Sequence, residues 1–160
     1  MAKKKRTNAA FSTFIALALL SIVVVAVIDN FNMENYVEAD VLEVYDTTIV
    51  VGVGCRAIVA DTSPERAYSI ETGIAGIIDT RPNTHDIFAE TLKSFNITLD
   101  HVTLDSYSDG IYYSKLVLET DEKLLKLDSK PSDAIALALR TNSSIYINKT
   151  MLEEIGQNIC

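Results

Sequence analysis

Two cysteines, Cys55 and Cys160, are the whole thiol content of this 160-residue chain. One pair makes no disulfide framework, and without CxxC spacing it describes no zinc site. A buried free thiol at Cys55 is the plain expectation, although an extracytoplasmic location would permit pairing. His-x-His, HExxH, GxSxG and Walker-type sequences are all absent, so no catalytic signature assigns a reaction. Cations are scarce too: 14 Lys and Arg stand against 22 Asp and Glu. Four of those cations lie in Lys3-Lys4-Lys5-Arg6. Residues 29–160 therefore keep all 22 acids with only ten cations, a formal charge of −12. Such a surface repels phosphate backbones on average, which excludes nucleic-acid binding through a broad basic face. Contact with a nucleic acid would need a local cationic patch or bound cations. Plain solubility, or a salty milieu, accounts for the acid more simply.

What the chain does have begins with an uncharged stretch from Thr7 to Ile28, solidly apolar from Phe14 apart from Ser21. At about 1.5 Å per helical residue, roughly 20 residues match a hydrocarbon core about 30 Å thick. Residues 1–10 thus read as a cytoplasmic basic segment, 11–28 as a transmembrane anchor or signal, and 29–36 as a linker. Residues 37–160 read as the globular domain. The exit Val25-Ala26-Val27-Ile28-Asp29-Asn30 offers no small-x-small cleavage site, which favours an anchor over a secreted chain with a cleaved signal. Cations before the span and acids after it put the domain outside the cytoplasm. Three sequons, at Asn96, Asn142 and Asn148, agree weakly with that placement.

Strand patterns cover Val37–Asp46, Ile49–Val53, Arg56–Ala60, Thr98–Asp105, Ile111–Glu119, Lys123–Leu127 and Ser144–Ile147. Asp109-Gly110 is a strong hairpin signal. Ser63-Pro64-Glu65 opens a helix by hydroxyl, Pro and acid, with Gly73 as its expected stop. Ile87, Phe88, Thr91, Leu92 and Phe95 share one face of a second helix that Asn96 can end. Ala134 to Leu139 is apolar all round, hence a buried third helix. Thr150–Ile155 adds a last helical turn. The order predicts an α+β domain with a mainly antiparallel sheet and about three helices on one face.

One polar phrase is written twice: Asp79-Thr80-Arg81-Pro82-Asn83-Thr84-His85-Asp86-Ile87, and Asp128-Ser129-Lys130-Pro131-Ser132-Asp133-Ala134-Ile135. As structure, it reads as an internally duplicated strand-to-helix unit. Pro presets φ, Thr84 and Ser132 cap, and Asp86 and Asp133 face the positive end of the helix dipole. As chemistry, a cap uses one oxygen, yet each copy brings two carboxylates, a hydroxyl and a cation, and the first adds His85. Asp86 and Asp133 could share a hard divalent cation through oxygen. His85 suits general base or ligand work, and Arg81 and Arg140 suit phosphate.

These residues resemble the bifunctional nuclease family. Arg81 to Ile87 is similar to its Arg-Pro-x-Thr-His-Asp-[Leu/Ile] signature. Asp128, Pro131 and Ser132 to Ala138 match its Asp-x-Arg-Pro-Ser-Asp-Ala-Ile-Ala-Leu-Ala run. Asp109 to Tyr113 resembles its hairpin, Pro64 to Ile70 loosely resembles its first helix, and the likeness spans roughly residues 45–155. It implies cleavage of RNA and DNA assisted by a divalent metal, Mg or Mn. Its motifs carry over Arg81, Thr84, His85, Asp86, Asp128, Ser132 and Asp133 as candidates; with the chemistry above, the expected catalytic set is His85, Asp86, Asp133 and Asp128, with Asp86 and Asp133 as metal ligands. Arg81, Thr84, Lys130, Ser132 and Arg140 would bind substrate. The resemblance also raises self-association as a homo-oligomer. Two departures count against a nucleic-acid substrate: Lys130 replaces an Arg fork, and the family's usual members lack a hydrophobic leader. The alternative is a non-enzymatic extracytoplasmic binding or assembly module on the same fold.

Overall fold

A computed structural model describes residues 33–160, and residues 34–160 form one compact unit. The segments 1–10 and 11–28 lie outside the described residues. Among the described residues no helix is long and apolar enough to cross a membrane. After a 3-10 turn at Met33–Asn35 come β1 (Tyr36–Tyr45), β2 (Thr48–Val53), β3 (Arg56–Asp61), α1 (Pro64–Ala75) and α2 (Thr84–Ser94). Then follow β4 (Thr98–Ser108), β5 (Ile111–Glu119), β6 (Leu124–Ser129), α3 (Pro131–Thr141), β7 (Ser144–Asn148), α4 (Lys149–Ile155) and β8 (Gln157–Asn158). The α+β expectation holds, with four α-helices among the described residues where about three and a final turn were expected.

The eight strands form one sheet in the order β6-β5-β4-β7-β1-β2-β3-β8. Every neighbouring pair is antiparallel except β4 with β7. Because β1 runs against β7 and β4 runs with it, a half-turn normal to the sheet through β7 exchanges the two three-strand meanders. Each meander ends in a helix with Pro at its first turn: α1 after β3 and α3 after β6. The order of three strands then a helix thus occurs twice, at the β3-to-α1 and β6-to-α3 corners, whereas the phrase from Asp79 to Ile87 lies in the connection between two helices and the start of α2, not at a strand-to-helix corner as expected.

Tight turns follow from residues that accept positive φ. Asp109 and Gly110 (φ 53° and 80°) join β4 to β5, and Asn96 (φ 53°) ends α2. Gly73 does not stop α1, which runs to Ala75 and turns at Gly76 (φ 63°). Gly73 serves close packing instead: a Cβ there would sit 2.9 Å from Arg140 Nη1 and 3.1 Å from Leu139 Cβ. That contact lets α1 lie against α3. Between them and the sheet, Ala134 to Ala138 are buried all round, as the unbroken apolar pattern demands. Ile70, Leu137, Val102 and Ile147 lie at the centre of the core. Truncating Leu137 to Ala would cost about 2–5 kcal/mol.

Cys55 is not a buried thiol. It is exposed in the β2–β3 turn and bonded to Cys160, 105 positions away, with Cα atoms 5.2 Å apart. Beside it, β8 pairs with β3 through Arg56↔Asn158 and Ala57↔Gln157, so the bridge locks the C-terminal strand to the sheet edge.

Candidate active site

The start of α2 is built from a single cap. Asn83 Oδ1 accepts from the backbone N–H of His85 (2.8 Å) and Asp86 (3.1 Å), and Asp86 Oδ2 accepts from Asn83 N–H (2.8 Å). This is a capping box with Asp in place of Glu. Asn83, not Thr84, is the cap, and Pro82 stands outside the helix. At α3, Pro131 does open the helix, but Lys130 occupies the cap position without a side-chain bond and Ser132 caps nothing.

Asp86 points inward. Its Oδ1 takes Arg140 Nε at 2.5 Å, with the carboxylate 4% and the guanidinium 8% exposed. Arg140 Nη1 also donates to Ser69 O and Ala136 O at 2.8 Å each, and Nη2 donates to Thr72 Oγ1 at 3.1 Å. One ion pair thus staples α1, α2 and α3 beneath the surface. Burial pushes the Asp86 carboxyl up, but Arg140 and the Asn83 N–H outweigh it and hold the group below the usual range. Both carboxylate oxygens are used. Asp86 is buried against its own partners and not open to a shared cation, and Arg140 is committed to protein acceptors instead of phosphate.

The outward side of the same three helix starts is different. His85 and Asp133 do meet, with Nε2 to Oδ1 at 3.5 Å, and Arg66 Nε reaches the same oxygen at 3.2 Å. Ser69 Oγ lies 2.9 Å from His85 Nδ1 and accepts from Asn83 Nδ2 at 3.3 Å. Asp133, which can only accept, faces Nε2, so the tautomer that satisfies both contacts carries the ring proton on Nε2 and takes the Ser69 hydroxyl hydrogen at Nδ1. Burial lowers the His85 pKa more than Asp133 raises it, with Arg140 adding to the lowering, so the ring is neutral at neutral pH. These groups line an open cavity of about 640 Å³ with Pro64, Glu65, Tyr68 and Thr84.

The remaining expected residues scatter. Arg81 is exposed in the α1–α2 connection, and Asp128 is exposed on β6 opposite Lys115. Lys130 and Ser132 line a second cavity on the other side of the first turn of α3. Arg66, Ser69 and Asn83 were not expected. A signal for Arg66 was present: it stands two residues after the Pro that opens α1, as Asp133 stands two residues after the Pro that opens α3, and the two meet.

A divalent ion held by the protein fits this donor set poorly. Asp133 is a single carboxylate already facing two cation-type donors, and no group of three His, Cys, Asp or Glu side chains suited to a metal occurs among the described residues.

Two uncharacterized proteins of Mycobacterium tuberculosis, one from each of two strains, are similar to this chain. Each is 28% identical over 81 residues, 51% of this chain and 48% of theirs. The chain thus spans about half the length of the curated relatives it matches. Residues 58–159, which carry all three helix starts, match the bifunctional nuclease domain, and the chain belongs to that family.

Proposed function

We propose that the chain hydrolyses phosphodiester bonds of nucleic acid in the cavity where α1, α2 and α3 begin. The observation that carries this reading is the convergence of Arg66 and His85 Nε2–H on one oxygen of Asp133, in a space open to a polymer. Helix N-termini and a guanidinium suit phosphoryl oxygens, and Arg66 is the cation that the cavity sets beside Glu65 and Asp133. Asp133 Oδ1 holds its two partners, which leaves Oδ2 for a water. That water attacks phosphorus and passes its proton to Asp133. Arg66 and the neutral His85 N–H stabilise the charge developing on the phosphoryl oxygens. The leaving oxygen then takes the proton from Asp133, which restores the carboxylate. Asp86 and Arg140 lie beneath and tie the three helices together without touching the substrate.

The test is cleavage of single- and double-stranded DNA and RNA by the full-length protein in detergent. Asp133→Asn is expected to lower the rate about 100-fold or more, the range of general acid–base contributions. Undiminished cleavage by that variant would end the proposal. An inactive wild-type chain would favour the binding-module alternative. Anchoring through residues 11–28, with the domain outside the cytoplasm, belongs to the same proposal, as do self-association and any metal supplied with the substrate.

A further inference from the structure

The second cavity, about 330 Å³, opens between the helix layer and the sheet on the far side of the first turn of α3. Arg66 lines both cavities, and neighbours on α3 divide between them: Asp133 faces the first and Ser132 the second. Its apolar lining comes from Ile58, Leu104, Ile111, Tyr112, Pro131 and Ile135. The volume lies at the lower end of the usual range for small-molecule sites, about 300–1,000 Å³.

Its rim is polar and charge-balanced. Lys130 and Asp61 carry opposite signs, and the Arg66 charge is already set against Asp133. Asp61 Oδ1 accepts from Thr48 at 2.6 Å, leaving its other oxygen as an acceptor. Ser132 is only 9% exposed and makes no side-chain hydrogen bond to any described residue, so its hydroxyl is free to bond a ligand in this cavity. An apolar slot with a neutral, mixed donor–acceptor rim suits an uncharged heteroaromatic ring better than an anion. Tyr112 and Pro131 offer faces for stacking, while Ser132, Lys130 and Asp61 can bond a ring edge.

We propose that this slot receives a nucleobase adjacent to the bond held at Arg66 and Asp133, an inference that rests on the phosphodiester reading above. It would make Ser132 and Lys130 determinants of base preference, with no part in the chemical step.

The experiment is calorimetric titration of the full-length protein in detergent with adenosine, guanosine, cytidine and uridine, and with ribose 5-phosphate as a probe lacking the base. Two variants accompany it. Ser132→Ala removes the hydroxyl, and Ile111→Trp plugs the mouth from a hairpin position that is 55% exposed, so neither strains the core. At least one nucleoside should bind the wild type. Its affinity should fall about fivefold in Ser132→Ala, the size of one hydrogen bond, and roughly tenfold in Ile111→Trp. Ribose 5-phosphate should bind all three alike. Absent nucleoside binding, or equal binding by all three proteins, would overturn the slot. Cleavage assays separate the two ideas: cleavage without nucleoside binding refutes the slot alone, and nucleoside binding without cleavage refutes the reaction alone.

Discussion

At the start of α2 the polar phrase closes on itself. Asn83 caps, Asp86 completes the box, and Arg140 takes the one carboxylate oxygen left over. At the start of α3 a near-copy of the phrase caps nothing, and its acid turns outward to Arg66 and His85. The two aspartates come from similar polar phrases and have opposite environments in space. Asp86 is buried with both oxygens bonded, while Asp133 has a side chain 37% exposed. Completeness of bonding separates them: a saturated buried pair holds helices together, whereas an open carboxylate with two donors beside it can exchange protons.

The largest effects should appear when each acid is changed in turn. Asp133→Asn should abolish most cleavage while moving stability by less than about 1 kcal/mol, because the pair is partly exposed and screened. Asp86→Ala should do the reverse first. It strands the Arg140 guanidinium in the interior and should cost about 3–5 kcal/mol in urea unfolding, with activity lost only as the protein unfolds. If Asp86→Ala instead inactivated a fully folded protein, the contrast between the two starts would be wrong. The double change Asp86→Leu, Arg140→Met sharpens it. Replacing both charges with apolar groups should be less harmful than either single change, since no unpaired charge remains.

A chelator tests the same contrast from the side of the metal. The expectation from the sequence was one cation shared by Asp86 and Asp133, and it required both acids to be open. With Asp86 closed, EDTA should lower the melting temperature of the purified chain by less than about 1 °C, since only a ligand that favours the native state shifts that equilibrium. A larger drop, restored by Mg²⁺ or Mn²⁺ and absent in Asp86→Asn, would reinstate the shared ion.

Much of the fold was legible because local chemistry agreed with the global one. Asp109-Gly110 accepts the positive φ of a two-residue hairpin, Asn96 accepts it at a helix end, and an unbroken apolar run from Ala134 marks a buried helix. The site was half legible. His85 and Asp133 were expected together and do face each other, but the direction of Asp86 could not be read. Adjacent helical residues diverge by about 100°, so if His85 faces out then Asp86 turns away, and only the tertiary position of Arg140 says toward what. The likeness of the two phrases misled for a related reason. It matched words within the α1–α2 connection to words at a strand-to-helix corner, while the partner of Asp133 is Arg66 in the first turn of α1, a cation facing an acid. Cys55 and Cys160 escaped because the pairing depends on β8 returning to the sheet edge, and two residues of strand leave no periodic signal.

The smallest expected effect is on acid stability, and it too separates the outward His from the inward Asp. The folded-state pKa of His85 lies below its unfolded value, so between the two the unfolded chain binds more protons than the native one. Stability is therefore full above about pH 6.5, the unfolded value for His, and falls as pH drops through that point toward the folded value. Asp86 is also lowered, but from a carboxylate starting point. Its contribution stays intact until pH falls below about 4 and is lost as pH passes through its folded value. Unfolding free energy measured by urea titration should thus decline in two separate steps on acidification. His85→Gln should remove the upper step and leave the lower one in place. If a single decline survived unchanged in His85→Gln, the ring would be titrating as freely in the native cavity as in the unfolded chain, and the neutral imidazole on which the proposed chemistry stands would be lost.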